Sequence, residues 1–110
     1  MEYVKVADTS EVPVNTKKIV TAGDKEILLS NVDGSYYAIN NKCTHMDGSL
    51  GKGELEGHVV TCPRHGAQFD VRTGSAVGQA KIAFVKMNVK DEESYQVNVE
   101  GTDILVEIPR

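Results

Sequence analysis

Apolar and polar residues alternate with a period of two through most of this chain, the spacing that sends successive side chains to opposite faces of a β-strand. Tyr3 to Val6 reads as a first strand. Ala7 to Pro13 reads as turn-rich, with one helical turn opened by Asp8 or Ser10 and closed by Pro13. Lys18 to Val20 and Glu26 to Ser30 flank Ala22-Gly23-Asp24-Lys25 as a hairpin, and Asn31-Val32-Asp33-Gly34 is a second turn, because Asp and Gly tolerate positive φ. Tyr36 to Ile39 returns as a strand. Alternation then stops from Asn40 to Gly57, a Gly-rich stretch that reads as one long structured loop, longer than loops without a task usually are. It resumes at His58 to Thr61, breaks at Cys62-Pro63-Arg64-His65-Gly66, and continues in Gln68 to Val71 and Ser75 to Val77 around the turn Arg72-Thr73-Gly74. Phe84 to Val89, Tyr95 to Val99 and Ile104 to Ile108 complete the pattern, with Asp91-Glu92-Glu93 as a solvated hairpin tip. The expectation is an all-β fold of nine or ten short strands, an antiparallel sandwich or small barrel, in which residues 43–74 form a loop-rich subdomain of a single domain spanning 1–110.

Composition narrows what such a fold can do. Of the 110 residues, 40% are apolar and only six are Phe or Tyr, with no Trp. That is enough for one aliphatic core, with little room for a deep catalytic pocket. Sixteen acidic side chains outnumber twelve basic ones, for a formal charge of -4, which argues against nucleic acid as a partner. No apolar run is long enough to span a bilayer, and the N-terminus lacks the basic start and apolar core of a signal peptide. A soluble, cytoplasmic protein that does not engage membranes is expected.

The candidate chemistry lies where alternation fails. Cys43 and His45 are two apart, Cys62 and His65 three apart, with sixteen residues between His45 and Cys62. Each pair sits in a Gly-rich loop beside a predicted strand. Two loops that each offer a thiolate and an imidazole can hold a single tetrahedral ion or a two-iron cluster. A Cys43–Cys62 disulfide leaves both histidines unexplained, and two near-identical Cys–His pairs are redundant for nucleophilic catalysis. Gly48, Gly51, Gly53 and Gly66 are expected to form tight turns that aim amides at a negative ligand. Met46 is a candidate shield, His58 a strand or surface histidine, and Phe69 and the Val59-Val60 pair core residues. Of Tyr36 and Tyr37, one should face inward and the other solvent.

The pattern Cys43-x-His45…Cys62-x-x-His65-Gly66, continued by Ala67-Gln68-Phe69-Asp70 and Thr73-Gly74, resembles the Rieske iron–sulfur signature, and the β pattern around it agrees from end to end. The resemblance implies one [2Fe–2S] cluster per chain, with Cys43 and Cys62 on one iron and His45 and His65 on the other through Nδ1. Two ferric ions, two sulfides and two thiolates sum to neutrality, whereas four thiolates leave a net negative site that accepts an electron less readily. The added electron would then sit on the histidine-bound iron, near the surface.

The chain departs from the respiratory members of the family, which brace the cluster with a disulfide. The matching positions here are Gly48 and Arg64. Ala67 and Phe69 stand where those members offer hydroxyls to the cluster sulfurs, and Gly78-Gln79-Ala80-Lys81 lacks the proline many relatives carry. Missing donors lower the potential. The proline-free loop is a further departure, whereas the missing disulfide and the missing hydroxyls resemble the ferredoxins of bacterial multicomponent oxygenases. They imply a non-catalytic one-electron carrier, with a flavin-dependent reductase as donor and a terminal oxygenase or related oxidoreductase as acceptor. The competing readings are a small Rieske-like subunit of a nitrite reductase and a structural zinc module using the same four residues.

Overall fold

The computed structural model describes residues 2–42, 49–63, 66–78, 80–82, 85–87 and 91–108. Its strands are β1 (Glu2–Asp8), β2 (Lys17–Ala22), β3 (Lys25–Val32), β4 (Ser35–Asn40), β5 (Glu54–Glu56), β6 (Val59–Thr61), β7 (Gln68–Asp70), β8 (Ala76–Gly78), β9 (Ala80–Ile82), β10 (Val85–Met87), β11 (Ser94–Tyr95), β12 (Val97–Glu100) and β13 (Asp103–Ile108). The only helices among the described residues are the short 3-10 turns Thr9–Glu11 and Leu50–Lys52. No helix there is long and apolar enough to cross a membrane. The expected all-β class holds, as open sheets packed face to face rather than a closed barrel, and with more strands than alternation predicted.

The strands pair antiparallel in sheets ordered β1-β13-β12, β11-β4-β3-β2, β5-β6-β7-β8 and β10-β9. Asp33 and Gly34 turn β3 into β4 with φ of 52° and 94°, a pair of positive values that matches the twist of the flanking strands. The turn is thus confined to two residues, and β3 runs on to Val32, past the expected break at Asn31. The predicted helical turn is present at Thr9–Glu11, where the Glu11 carboxylate accepts the Asp8 N–H at 2.9 Å.

Strand β3 explains the layering. Ile27, Leu28, Leu29, Ser30 and Asn31 are all buried, so both faces of the sheet are covered. Ile27, Leu29 and Ala38 pack with Ala7, Val12, Val20, Ala22, Tyr95, Ile104 and Val106 against the terminal sheet β1-β13-β12. Leu28 and Ile39, one residue out of phase, pack with Leu50, Val60, Cys62, Ala67, Phe69 and Val71. The one core expected from composition is therefore two, on opposite faces of the central sheet. Tyr36 joins the first, its hydroxyl donating to the carbonyls of Thr9 (3.2 Å) and Val12 (3.1 Å). Tyr36 and Tyr37 are both half-buried.

Three local expectations fail for tertiary reasons. Glu54–Glu56, read as loop, is a strand because β6 pairs with it through Leu55↔Val60. Ala80 and Lys81, read as part of the proline-free loop Gly78-Gln79-Ala80-Lys81, belong to β9, which pairs with Val85–Met87, while Gln79 and Phe84 lie outside the described residues. Asp91-Glu92-Glu93 is no solvated tip. Glu92 is buried, its N–H donates to Gly74 O (2.7 Å), Asp91 Oδ1 accepts the Ala76 N–H (2.8 Å), and Glu93 O accepts the Asn40 N–H (2.8 Å). This strap ties the second layer to the central sheet.

Candidate metal centre

The second Cys–His pair occupies a hairpin. Strands β6 and β7 run together to Thr61↔Gln68, and one step further the Cys62 N–H donates to Ala67 O at 2.7 Å. The Gly66 N–H closes the loop onto Cys62 O at 3.1 Å, with Gly66 at φ 77°. Cys62 is thus fixed at the root of a four-residue loop that carries His65 by sequence. It is a free cysteine, 1% exposed, among Leu28, Leu50, Val60 and Phe69. A free thiol held this rigidly beside an apolar wall suits a soft metal ligand. Arg64 and His65 lie outside the described residues, as do Cys43, His45, Met46 and Gly48. Consistent with that, no three His, Cys, Asp or Glu side chains converge on a common point among the described residues.

The first pair's segment is known by its borders. Lys42 and Ser49 form an isolated antiparallel bridge, so the two residues that border 43–48 lie side by side. Asn41, which the sequence pattern did not single out, is fully buried between them. Its Nδ2 donates to Ser49 Oγ (2.9 Å) and Glu26 Oε1 (2.5 Å), and its Oδ1 accepts the Gly51 N–H (2.7 Å). Spacing gives no signal for such a residue, because a buried Asn and an exposed one read alike at a strand end.

The N–H groups of three of the glycines are taken up inside the protein: Gly51 donates to Asn41 Oδ1, Gly53 to Leu50 O (3.0 Å) and Gly66 to Cys62 O. Gly51 and Gly53 also permit close approach: a Cβ on Gly51 would lie 2.1 Å from Ile19 Cγ1, and one on Gly53 1.7 Å from Thr61 O.

Beyond the hairpin, Asp70 is nearly buried and gathers three donors from Arg72: the backbone N–H (2.9 Å), Nε (3.1 Å) and Nη2 (2.9 Å). These bonds hold the Asp70 carboxyl below the usual carboxylate range against the opposing effect of burial. His58 lies in the turn just before β6, half-exposed, with Nε2 3.9 Å from Asp70 Oδ2, in keeping with a surface histidine outside the ligand pattern. Ala67 and Phe69 are fully buried in the wall beside Cys62, and neither carries a hydroxyl.

Comparison with known proteins meets this geometry along the whole chain. The family model for the Rieske [2Fe–2S] domain matches residues 2–87. The ferredoxin component of a naphthalene 1,2-dioxygenase system from Pseudomonas aeruginosa is 37% identical over 107 residues, covering 97% of this chain and 96% of its own. Among solved structures, the ferredoxin of carbazole 1,9a-dioxygenase from Nocardioides aromaticivorans IC177 superposes with a TM-score of 0.83 at 30% identity, over 96% of this chain and 97% of its own. The terminal oxygenase of carbazole 1,9a-dioxygenase from Novosphingobium sp. KA1 shares the fold, with a TM-score of 0.85 at 23% identity, over 98% of this chain but only 30% of its own. A buried free thiol at a hairpin root, an all-β frame and these matches lead to one conclusion: the chain belongs to the Rieske [2Fe–2S] family and is homologous to the ferredoxin components of dioxygenase systems.

Proposed function

We propose that Cys43, His45, Cys62 and His65 hold one [2Fe–2S] cluster and that the protein is a one-electron carrier, passing electrons from a flavin-dependent reductase to a terminal oxygenase. The observation that carries this reading is Cys62, a buried free thiol clamped by the Ala67 and Gly66 hydrogen bonds at the root of the loop bearing His65. When bound, such a cluster supplies a reversible one-electron couple whose potential histidine ligation raises above that of four-thiolate clusters.

The chain's own part is to hold and insulate. Leu28, Leu50, Val60 and Phe69 exclude water from the thiol, and the paired backbone of the β6–β7 hairpin keeps the loop from rearranging when charge changes. With Ala67 and Phe69 unable to donate hydrogen bonds, the reduced, more negative state gains less stabilisation, which favours a carrier that gives up its electron readily.

The test is metal and acid-labile sulfide analysis of anaerobically purified protein, with EPR of the reduced form. The expected result is the two irons and two sulfides of the family's cluster, with mixed sulfur and nitrogen ligation, lost in Cys62→Ser and His65→Ala. One zinc and no sulfide would overturn it. Transfer is checked by stopped-flow mixing of the reduced protein with an oxidised ring-hydroxylating oxygenase, where no electron passage would remove the carrier role.

A further inference from the structure

We propose that Asn41 is a positioning residue for the metal centre, whose side-chain amide closes the loop carrying Cys43 and His45. The inference rests on the assignment of those two residues as ligands.

Asn41 fastens both borders of that loop at once. Its backbone N–H donates to Glu26 O (3.0 Å) and its carbonyl accepts the Leu50 N–H (2.9 Å), while its side chain reaches Ser49 and Gly51 on the far border and Glu26 on β3. Gly51 is gripped from its other side too, since its carbonyl accepts Lys17 Nζ at 2.8 Å and its Cα lies against Ile19. The exit of the loop is thereby tied to β2 and β3, and its entrance is Asn41 itself.

The chemistry required at this position is narrow. One buried side chain must donate twice and accept once, which an amide does and neither carboxylate nor hydroxyl can do with the same partners. Alanine would leave the half-buried Gly51 N–H without its acceptor. Aspartate would set a second carboxylate against Glu26 and donate to nothing. Because ligand loops must be closed before a metal can be gripped, an anchor that closes them in advance lowers the ordering that binding must otherwise impose.

An internal control exists on the same strand pair. Asn31 is also buried on β3 but on the opposite face, where Nδ2 donates to Val12 O (2.9 Å) and Oδ1 accepts the Gly34 N–H (2.9 Å). It is comparably buried and makes one side-chain bond fewer, and it holds the β1–β2 connection rather than the ligand loop.

The experiment compares holoproteins carrying Asn41→Ala, Asn31→Ala, Ser49→Ala, Asn41→Asp, and Asn41→Asp combined with Glu26→Gln. The readouts are the rate of iron release to a chelator well below the melting temperature, the EPR line shape of the reduced form, and the melting temperature. Asn41→Ala should release iron about tenfold faster or more, the scale of losing a buried hydrogen bond or two, and should shift the EPR spectrum. Asn31→Ala should lower the melting temperature with both metal readouts unchanged. Aspartate alone should resemble alanine, and the double variant, which reverses donor and acceptor across the pair at constant charge, should return toward the native rate. Should Asn41→Ala fail to fold, Ser49→Ala, which removes one contact, and the double variant decide. Iron release that merely follows melting temperature in both the Asn31 and Asn41 variants would overturn the proposal, as would a double variant no better than aspartate alone. Native protein that binds no iron would overturn the functional reading and this one together, whereas native cluster with unchanged Asn41 variants would overturn only the role of Asn41.

Discussion

The two faces of the central sheet are buried by different means. Toward the terminal sheet, Ile27, Leu29 and Val20 meet Ile104 and Val106 from β1-β13-β12, where β1 has seven residues and β13 six. Toward the other face, Leu28 and Ile39 meet Val60, Phe69 and Cys62 from a sheet whose four strands have three residues each. Strands that short make few ladder bonds and depend on their surroundings. The terminal side is a closed aliphatic core, whereas the metal side counts a proposed ligand among its buried members. The difference teaches that the two layers need not share one stability, and that metal should matter to one far more than to the other.

Removal of the cluster probes this contrast most strongly. Chelation or Cys62→Ser should speed amide exchange at Val60 and Phe69 by orders of magnitude while Leu29 and Val106 stay protected. Hydrogen exchange followed by NMR would break the comparison if both layers lost protection equally. Next in size are Ile27→Ala and Leu28→Ala, neighbours on β3 that enter opposite cores. Each should cost about 2–5 kcal/mol. Leu28→Ala should also accelerate iron release, and Ile27→Ala should not, as chemical denaturation read alongside iron retention will show.

A smaller effect is expected from Phe69→Tyr. The native potential should lie at the low end of the roughly -150 to +300 mV family window. A new hydroxyl–sulfur hydrogen bond worth about 1 kcal/mol should raise it by about 40 mV for one electron. Direct electrochemistry decides, and a native value near the positive end would refute this account of tuning.

The smallest effects are pH limits that differ between the layers. Tyr95, in the terminal-side core, is pushed up to about 12, chiefly by burial and then by Glu93 and Glu92. Its ionisation is easier in the unfolded chain, whose tyrosine titrates near 10.0, so stability is full below that pH and falls as pH rises toward the folded value. Asp70, on the metal side, is shifted the other way by Arg72. Its contribution is present above the ordinary carboxylate range and is lost as pH falls through its lowered folded value. Tyr95→Phe should flatten the alkaline limb and Asp70→Asn the acid limb of a plot of melting temperature against pH.

What the sequence revealed follows the range of the forces involved. Alternation located β2 and β13 because each shows its own apolar period, whereas β3 and β4 were legible as apolar runs bracketed by turns, and Asp33-Gly34 announced its turn because positive φ is a local demand. β5 was illegible, since Glu54-Leu55-Glu56 has a single apolar residue and becomes a strand only through β6. Glu92 looked like a solvated charge because nothing local reveals that Gly74 O pins its backbone. At the candidate site, the spacing of the Cys–His pairs singled out Cys62, which the fold holds buried at a hairpin root. Asn41 was not singled out, because its partners Glu26 and Gly51 are brought to it by the fold.

The pairing of Glu2 with Ile108 carries one more consequence. Both ends of the described chain lie side by side in the terminal sheet, across the central sheet from the layer that carries Cys62. A longer polypeptide can run into β1 and out of β13 without crossing that layer, so the unit is a cassette that can be spliced into a host at one side and leave the layer that carries Cys62 free at the other. The terminal oxygenase in which this fold fills 30% of the chain is an architecture that such a cassette permits.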